Sequence, residues 1–564
     1  MNSTSRSIPV TAPLDDPFYY LRNFQFVLEW VTERYDDLLS DDEEALIETF
    51  HGLPRMSQAL MVRMVMRKGC YFRTSKLRYA EIGDPCESLF PLAEAGLVVV
   101  DPELTVDTLL PLMTLTELRR ALASYISETG LSVHASKRDL SAGLQAVSCE
   151  TRRWSSWWPQ APDAVVMLCN EALFERLRLM FFGNLRQHWS EFVLTELGIQ
   201  RFETVALPDE SRAFQERADI DLYRELHDLR ERLDAGEGPA ELFASLPVGP
   251  FANAWLESRR SRLAFQIARE AERQGDTTTA MAIYPRCQHV EARVRQLRQL
   301  ERRGECEVAY RIATRAMESP RNEAEIQHLE RILPRLCRRL GMASPPQCSR
   351  VDDTTGKLES FALRLPATDG VELAVRDRLA RDEAPVYYVE NTLLTGVFGL
   401  LCWEAIFAPL PGAFFHPFHV GPADLYREDF VTRRQALFSN CLSMLDSGEY
   451  RQRVRDTYRE KWGRASPFVH WESISETLLE QALACVPANH LKYCFERMLI
   501  DLKANRAGLP DLIQLWPRQR RYRWIEVKGP GDRLQDNQRR WLAFFQQHDI
   551  PATVCHVTWE ADSG

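Results

Sequence analysis

The sequence predicts a multidomain protein: a mostly α-helical N-terminal two-thirds followed by an α/β domain. Three observations lead there. A chain of 564 residues is longer than one hydrophobic core can serve. Helical patterning fills its first part, up to a polar, turn-rich stretch, MASPPQCSRVDDTTGK at 342–357, that reads as a linker. After that stretch, short β-patterned runs flank one almost wholly apolar helix.

Composition narrows the class. The 45% hydrophobic and 27% charged content is that of a globular protein with material for buried cores. A net charge of −10 does not decide partners, because nucleic-acid binding depends on local patches. The 13 cysteines are scattered singly with no CxxC pair, so they read as small buried residues in a reducing compartment. No signal-peptide core and no membrane-spanning run is present. The expectation is an intracellular protein, in the cytoplasm or nucleoid if bacterial, with no membrane partner.

The first nineteen residues are polar. YYLRNFQFVLEWVTERYDDLL then supplies a broad apolar helical face of Leu21, Phe24, Phe26, Val27, Leu28 and Val31. A second helical stretch, MSQALMVRMVMRKGCYF, ends in Arg67, Lys68, Tyr71, Phe72 and Arg73, either a phosphate contact or a solvated helix end. Residues 104–147 pair a helix in TLTELRRALASYI with a second in SVHASKRDLSAGLQAV. Ser136 is a candidate N-cap with Asp139 three residues on. With Lys137 and Arg138 entering the second helix, the pair is either a SAP-like DNA-binding hairpin or a plain helical hairpin.

An internal repeat follows. ERQGDTTTAMAIY at 272–284 realigns onto ERRGECEVAYRIA at 301–313, an offset of 29 residues. Gly275 and Gly304 end helices, Asp276 and Glu305 start the next, and Ala280 and Ala309 let helices approach. This is the logic of TPR-like helix pairs, which commonly bind proteins. The segment around the repeat carries seven arginines, 286, 293, 295, 298, 302, 303 and 311, so a DNA-facing role and a solvated face are both open. Beyond the linker, FALRLPA and VELAVRD read as strands or extended segments.

The chemistry gathers near the C-terminus. LPDLIQLW reads as a strand starting at Asp511, WPRQRR as a reversal, and YRWIEVKG as the partner strand. Alternation turns Ile525 and Val527 to one face and Trp524, Glu526 and Lys528 to the other, with Glu526 and Lys528 about 7 Å apart along the strand. Clustered carboxylates repel unless a cation lies between them, and Mg²⁺ or Mn²⁺ suits oxygen ligands of this kind. Lys528, a donor only, can hold the attacking water or offset charge on the phosphorane. Acid, acid and lysine in this order form the PD-(D/E)xK signature of metal-dependent nucleases. A surface hairpin with a Glu526–Lys528 ion pair is the plain alternative, and it leaves the clustered acids unexplained.

LPDL, WIEVKGPGDRLQDNQRRWL and the strand ATVCHV closely resemble the VRR-NUC domain of the Fanconi-associated nuclease family. Upstream, YYVENTLLTGVFGLLCWEAIF resembles that family's buried helix, DLYREDFVTRRQAL its internal insertion, and YYLRNFQFVLEWV with SKLRYAEI its N-terminal region. The resemblance implies a restriction-endonuclease-like fold and a metal site of Glu390, Asp511, Glu526 and the Val527 carbonyl, with Lys528 as catalytic lysine. Glu404, fourteen residues from Glu390, would lie roughly 21 Å away along the helix and cannot share the site. Gln538 is either a DNA contact or a helix-surface glutamine. Some members hold a 5′ phosphate in a basic pocket; Lys503 matches one position and Arg286 is a possible second, whereas Asn537 stands where a lysine is expected. No ubiquitin-binding zinc finger is implied.

The implied divisions are an N-terminal helical domain (1–95), a SAP-like module (96–150), a helical linker region (151–250), TPR-like repeats (251–345) and a VRR-NUC nuclease (346–564). The implied activity is 5′-flap endonuclease and 5′-to-3′ exonuclease action on branched or flapped duplex DNA, including crosslink repair. The rivals are a Holliday-junction resolvase and a non-catalytic scaffold that binds junctions.

Overall fold

The computed structural model describes residues 16–343 and 359–560, except 129, 131, 133, 148–150, 190, 193–199, 209 and 210. The linker expected at 342–357 therefore lies, from residue 344, outside the described residues. The chain divides into two units. One runs to Arg201 and includes Arg212–Ile220; the other comprises Phe202–Ser211 and Asp221 onward. Among the described residues no helix is long and apolar enough to cross a membrane.

In the first unit, helix Tyr19–Tyr35 buries Leu21, Phe24, Val27, Leu28 and Val31 of the face that its apolar spacing predicts, together with Tyr20, while Phe26 is half-buried. Helix Asp41–Gly52 opens with a capping box in which Glu43 reaches back to the Ser40 amide at 3.0 Å. Glu43 is fully buried against Arg176 and Arg217, which neutralise it. A small antiparallel sheet is formed by β1 (Tyr71–Arg73), β2 (Val98–Val100) and β5 (Val165–Leu168), in the order β1-β5-β2; β3 (Glu103–Leu104) pairs with β4 (Arg152–Arg153). Of the basic cluster at 67–73, Arg73 is buried in ion pairs with Asp163 and Glu117, and Phe72 is buried beside it. Arg73 is thus a structural cation, while Arg67 and Lys68 remain exposed.

The 104–147 region holds more helices than the two expected: Val106–Leu109, Leu115–Ala121, Ala123–Glu128 and Lys137–Val147. Ser136 does cap the last of these, accepting from the Asp139 amide at 3.2 Å. Lys137 donates to the Met113 carbonyl at 2.5 Å, fastening that helix to the preceding segment.

In the second unit, the repeat becomes the helix pairs Ala254–Gln274 with Thr277–Ile283, and Ala292–Arg302 with Cys306–Glu318, followed by helix Glu323–Arg339. Gly275 and Gly304 take the left-handed conformation at φ 83° and 78° that a chain leaving a helix needs. The Asp276 carboxylate caps the next helix through the Thr279 amide, and Ala280 and Ala309 are fully buried. Most of the arginines here are internal partners. Arg293 pairs with buried Glu325, Arg295 and Arg302 with Glu272, and Arg303 with Glu305. Arg286 stays exposed.

The rest of this unit is built on a mixed five-stranded sheet of β6 (Ser360–Leu365), β7 (Val386–Tyr388), β8 (Leu512–Trp516), β9 (Arg521–Lys528) and β10 (Ala552–Trp559). The order is β6-β10-β9-β8-β7, with β10 parallel to both neighbours and β8 antiparallel to β9 and β7. One face packs Ile525, Val527 and Leu512 on helix Val371–Leu379. VELAVRD is therefore helical and not extended: Val371, Ala374, Val375 and Leu379 recur at helical spacing, and Leu373, which made the run look alternating, is exposed. The other face buries Trp524, Ile513 and Leu515 against helices Leu393–Leu401, Glu476–Cys485, Ala488–Ile500 and Asp536–Gln547. Every residue of Leu393–Leu401 is buried, as its uniform apolarity requires.

That helix packs tightly through its glycines. A methyl group at Gly399 would lie 2.7 Å from the Phe468 Cβ, an atom close to the backbone, whereas at Gly396 it meets only the tip of Ile474. Gly399→Ala should destabilise this unit by about 1–3 kcal/mol, and more than Gly396→Ala, in chemical denaturation. Equal stability of the Gly399→Ala variant and wild type would refute the close-packing account.

Candidate active site

The antiparallel register pairs Leu512 with Ile525, so one step further sets Asp511 opposite Glu526. Pro510 and left-handed Gly508 (φ 85°) deliver the chain into β8; a side chain on Gly508 would collide with Asn537, 2.7 Å from where its Cβ would stand. The Val527 amide, off the ladder at this point, donates to Asp511 Oδ2 at 2.8 Å. Val389 N–H donates to the Asp511 carbonyl at 2.8 Å, which brings Glu390, the next residue, to the same place.

Glu526 is fully buried and Asp511 is 6% exposed. Lys528 Nζ stands 2.8 Å from Glu526 Oε1, an ion pair rather than an aligned hydrogen bond, so neither oxygen of this buried carboxylate has a directional donor. Burial pushes the Glu526 carboxyl up to about 8; the Asp511 charge adds to the rise and Lys528 opposes it. Burial likewise raises Asp511 to about 6 against the pull of the Val527 amide and Lys528, with Glu390 and Glu372 adding to the rise. Two buried acids short of donors, beside a third, are a donor set that fits a hard divalent cation. The Glu390 carboxylate itself is exposed and accepts from Tyr388 Oη at 2.6 Å and Asn391 Nδ2 at 3.3 Å. Among the described residues no three acid, histidine or cysteine side chains are already closed into a metal cage.

The structure thus brings together Glu390, Asp511, Glu526, Val527 and Lys528. Glu404 lies in the separate short helix Trp403–Ile406 and pairs with Arg453 at 2.9 Å. Gln538 turns back to accept from the Gln535 amide at 2.8 Å and caps helix Asp536–Gln547. Lys503 is exposed in the short helix Leu502–Asn505. Its charge falls on His289, which stacks on Phe265 with ring centroids 3.9 Å apart. Burial first, then Lys503, Arg262 and Arg321, hold that imidazole down at about 4. Arg138 is exposed, and Lys137 is occupied as described above. Sequence reasoning missed Tyr388, Asn391, Glu372 and His289. Glu372 was hidden by the strand assignment, and His289 lies more than two hundred positions from Lys503.

A family model described as the VRR-NUC domain matches residues 445–559, and one described as the FAN1, HTH domain matches 18–99. A Fanconi-associated nuclease 1 homolog of Pseudomonas aeruginosa is 49% identical over 562 residues, 98% of each chain. The chain belongs to the Fanconi-associated nuclease 1 family. Its human relative, Fanconi-associated nuclease 1, is 26% identical across 96% of this chain and 62% of its own length. A crystal structure of paFAN1 bound to 2-nucleotide 5′-flap DNA with a gap, 49% identical, matches 98% of this chain and 100% of that one with a TM-score of 0.93. A complex of paFAN1 with a 1-nucleotide 5′ flap gives 0.90. The chain is accordingly a nuclease, and nucleases with this domain depend on a metal.

Both acids have folded-state values above the ~4 of an unfolded carboxyl. Between about pH 4 and 8 the folded, metal-free chain therefore keeps protons that the unfolded chain has lost, and these two groups lower its stability as pH rises. A bound cation must displace the same protons. The Mn²⁺ concentration for half-maximal cleavage should rise as pH falls from 8 to 6. In EDTA, the melting temperature of wild type should fall more steeply than that of Glu526→Gln as pH rises from 6 to 8. Parallel slopes for the two proteins would contradict the assignment of buried, protonated acids.

Proposed function

We propose that the chain is a metal-dependent, structure-selective nuclease that cuts 5′ flaps, trims 5′-to-3′ and acts on branched DNA in interstrand-crosslink repair. The observation that carries this is the near-complete match to a relative captured on 5′-flap DNA, combined with an intact acid-acid-lysine set on paired strands. Glu390, Asp511, Glu526 and the Val527 carbonyl would hold Mg²⁺ or Mn²⁺, a Lewis acid that lowers the pKa of bound water and offsets phosphate charge. Lys528, held beside Glu526, presents N–H donors to the attacking water and to the negative charge growing on the phosphorane oxygens. Asp511 is kept in place by the Val527 amide, so its second oxygen is the one left to ligate.

In this reading residues 346–564 cut, the SAP-like module (96–150) holds duplex DNA and the TPR-like repeats (251–345) shape the junction. Exposed Arg138, Arg286 and Lys503 are the proposed phosphate contacts. Lys137 serves the fold first, and Gln538 contributes through its helix cap. Nothing in this set is arranged to read base edges, so selectivity comes from where the duplex bends and is held.

The test is digestion of a labelled 5′-flap duplex with Mn²⁺. Wild type should cut near the junction. Asp511→Ala should lose at least about a hundredfold in rate while still shifting the junction in a gel, as loss of a metal-holding group does. Wild-type-level cutting by Asp511→Ala would remove the site assignment. Absence of cutting by either protein, with binding intact, would favour the scaffold.

A further inference from the structure

Glu526 lies on β9, and Asp511 directly precedes β8 with its carboxylate held by the Val527 amide, whereas among the described residues no backbone amide donates to the carboxylate of Glu390, which lies beyond the end of β7. β7 ends at Tyr388, and Glu390 lies on the short turn that leads into helix Leu393–Leu401. Something other than the sheet ladder must fix where its carboxylate stands. We infer that Asn391, assisted by Tyr388, is the positioning residue that sets the Glu390 carboxylate against Asp511.

Three observations support the assignment. First, Asn391 has φ 52°, a left-handed conformation in a non-glycine residue, of the sort retained where the surroundings impose it. Second, its side chain faces two ways. Oδ1 accepts from the Leu509 amide at 3.1 Å, and Nδ2 donates to Glu390 Oε1 at 3.3 Å. The β7–β8 register pairs Tyr388 with Leu512, and the Val389 amide bonds Asp511 in the same register. Continued two steps, that register brings Asn391 opposite Leu509, so the Asn391 side chain carries the ladder on after its backbone has turned away. One amide group thus joins the segment bearing Glu390 to the loop bearing Asp511. Third, the Tyr388 hydroxyl donates to the other oxygen, Oε2, at 2.6 Å. With one donor on each oxygen the carboxylate plane is fixed, and each oxygen keeps acceptor capacity for a cation. Asparagine suits the position, since it tolerates the left-handed region and has both a donor and an acceptor.

This inference rests on the proposed metal-holding role of Glu390, and the experiment separates the two. Mn²⁺ alone, without DNA, is titrated calorimetrically into full-length wild type, Asn391→Gly, Tyr388→Phe and Asp511→Ala, with melting temperatures recorded in parallel. Glycine takes positive φ freely, so Asn391→Gly removes the side chain without straining the turn. It should weaken Mn²⁺ binding about tenfold at an essentially unchanged melting temperature, and Tyr388→Phe should shift it in the same direction. Asp511→Ala should abolish binding. Wild-type Mn²⁺ affinity in Asn391→Gly and Tyr388→Phe, with binding lost in Asp511→Ala, would overturn the positioning role alone. A lowered melting temperature with an unmoved Mn²⁺ titration would do the same, leaving Asn391 a merely structural residue. Undiminished binding by Asp511→Ala would overturn the metal reading and this inference with it. If Asn391→Gly does not fold, Tyr388→Phe decides.

Discussion

Placing Asp511 and Glu526 side by side inside a covered sheet is the constraint around which the second unit is arranged. Each carboxylate loses hydration on burial, and neighbouring acids add to the rise, Asp511 acting on Glu526 and Glu390 and Glu372 on Asp511. The sheet returns only part of this through one backbone amide on Asp511 and one ammonium group beside Glu526. A hydrophobic residue of similar size would fit the fold better than Glu526, since desolvating a buried carboxyl costs more than a single ion pair returns. The acids persist at the end of the β8–β9 pair because both faces of β9 are covered, by helix Val371–Leu379 on one side and the large apolar cluster on the other. A bound cation would relieve them, and the cost of keeping them ready is borne by the cores on either side.

The helical array is fastened to this sheet within the same unit. Arg331 grips Asp536 with two contacts of 2.7 Å, Arg497 pairs with Glu323, and Arg540 donates to Gln327 at 2.7 Å. These do not contribute equally. Arg331 and Asp536 are well exposed, and such pairs are worth little. Arg497 is 8% exposed, lies over Trp541 and Phe544, and pairs with a half-buried partner, so truncating it would remove packing as well as charge. Helix Asp536–Gln547, which follows β9, is thereby fixed to the last helix of the array.

How much of this was legible in the sequence depended on how local the cause was. The hairpin carrying Asp511, Glu526 and Lys528 was readable because strand alternation and a two-strand register are short-range properties. The repeat was readable because a glycine followed by an acid marks a helix boundary wherever it occurs, and Gly275 and Gly304 behave accordingly. VELAVRD was misread because a helix with one exposed leucine can imitate alternation over seven residues. The arginine-rich segment left a DNA-facing role and a solvated face both open because the partners of Arg293 and Arg295, Glu325 and Glu272, belong to other helices. Asn391 gave no sign at all, since its role depends on a φ value and on the amide of Leu509, over a hundred positions away.

The same reasoning bears on selectivity. Lys503 belongs to the segment that leads into the Asp511 loop, whereas His289, Arg262 and Arg321 belong to the helical array, and their charges meet at one imidazole. Burial first, and the cations around it second, lower the pKa of that imidazole. Lys503, Arg262 and Arg321 act on it in one direction and Glu291 in the other, with Glu291 second only to Lys503 among these charges. Because the cluster is assembled from two distant parts of the chain, neither the sheet nor the array possesses it alone. Arg497, lying over Trp541 and Phe544 and paired with Glu323, helps hold these two parts in one geometry.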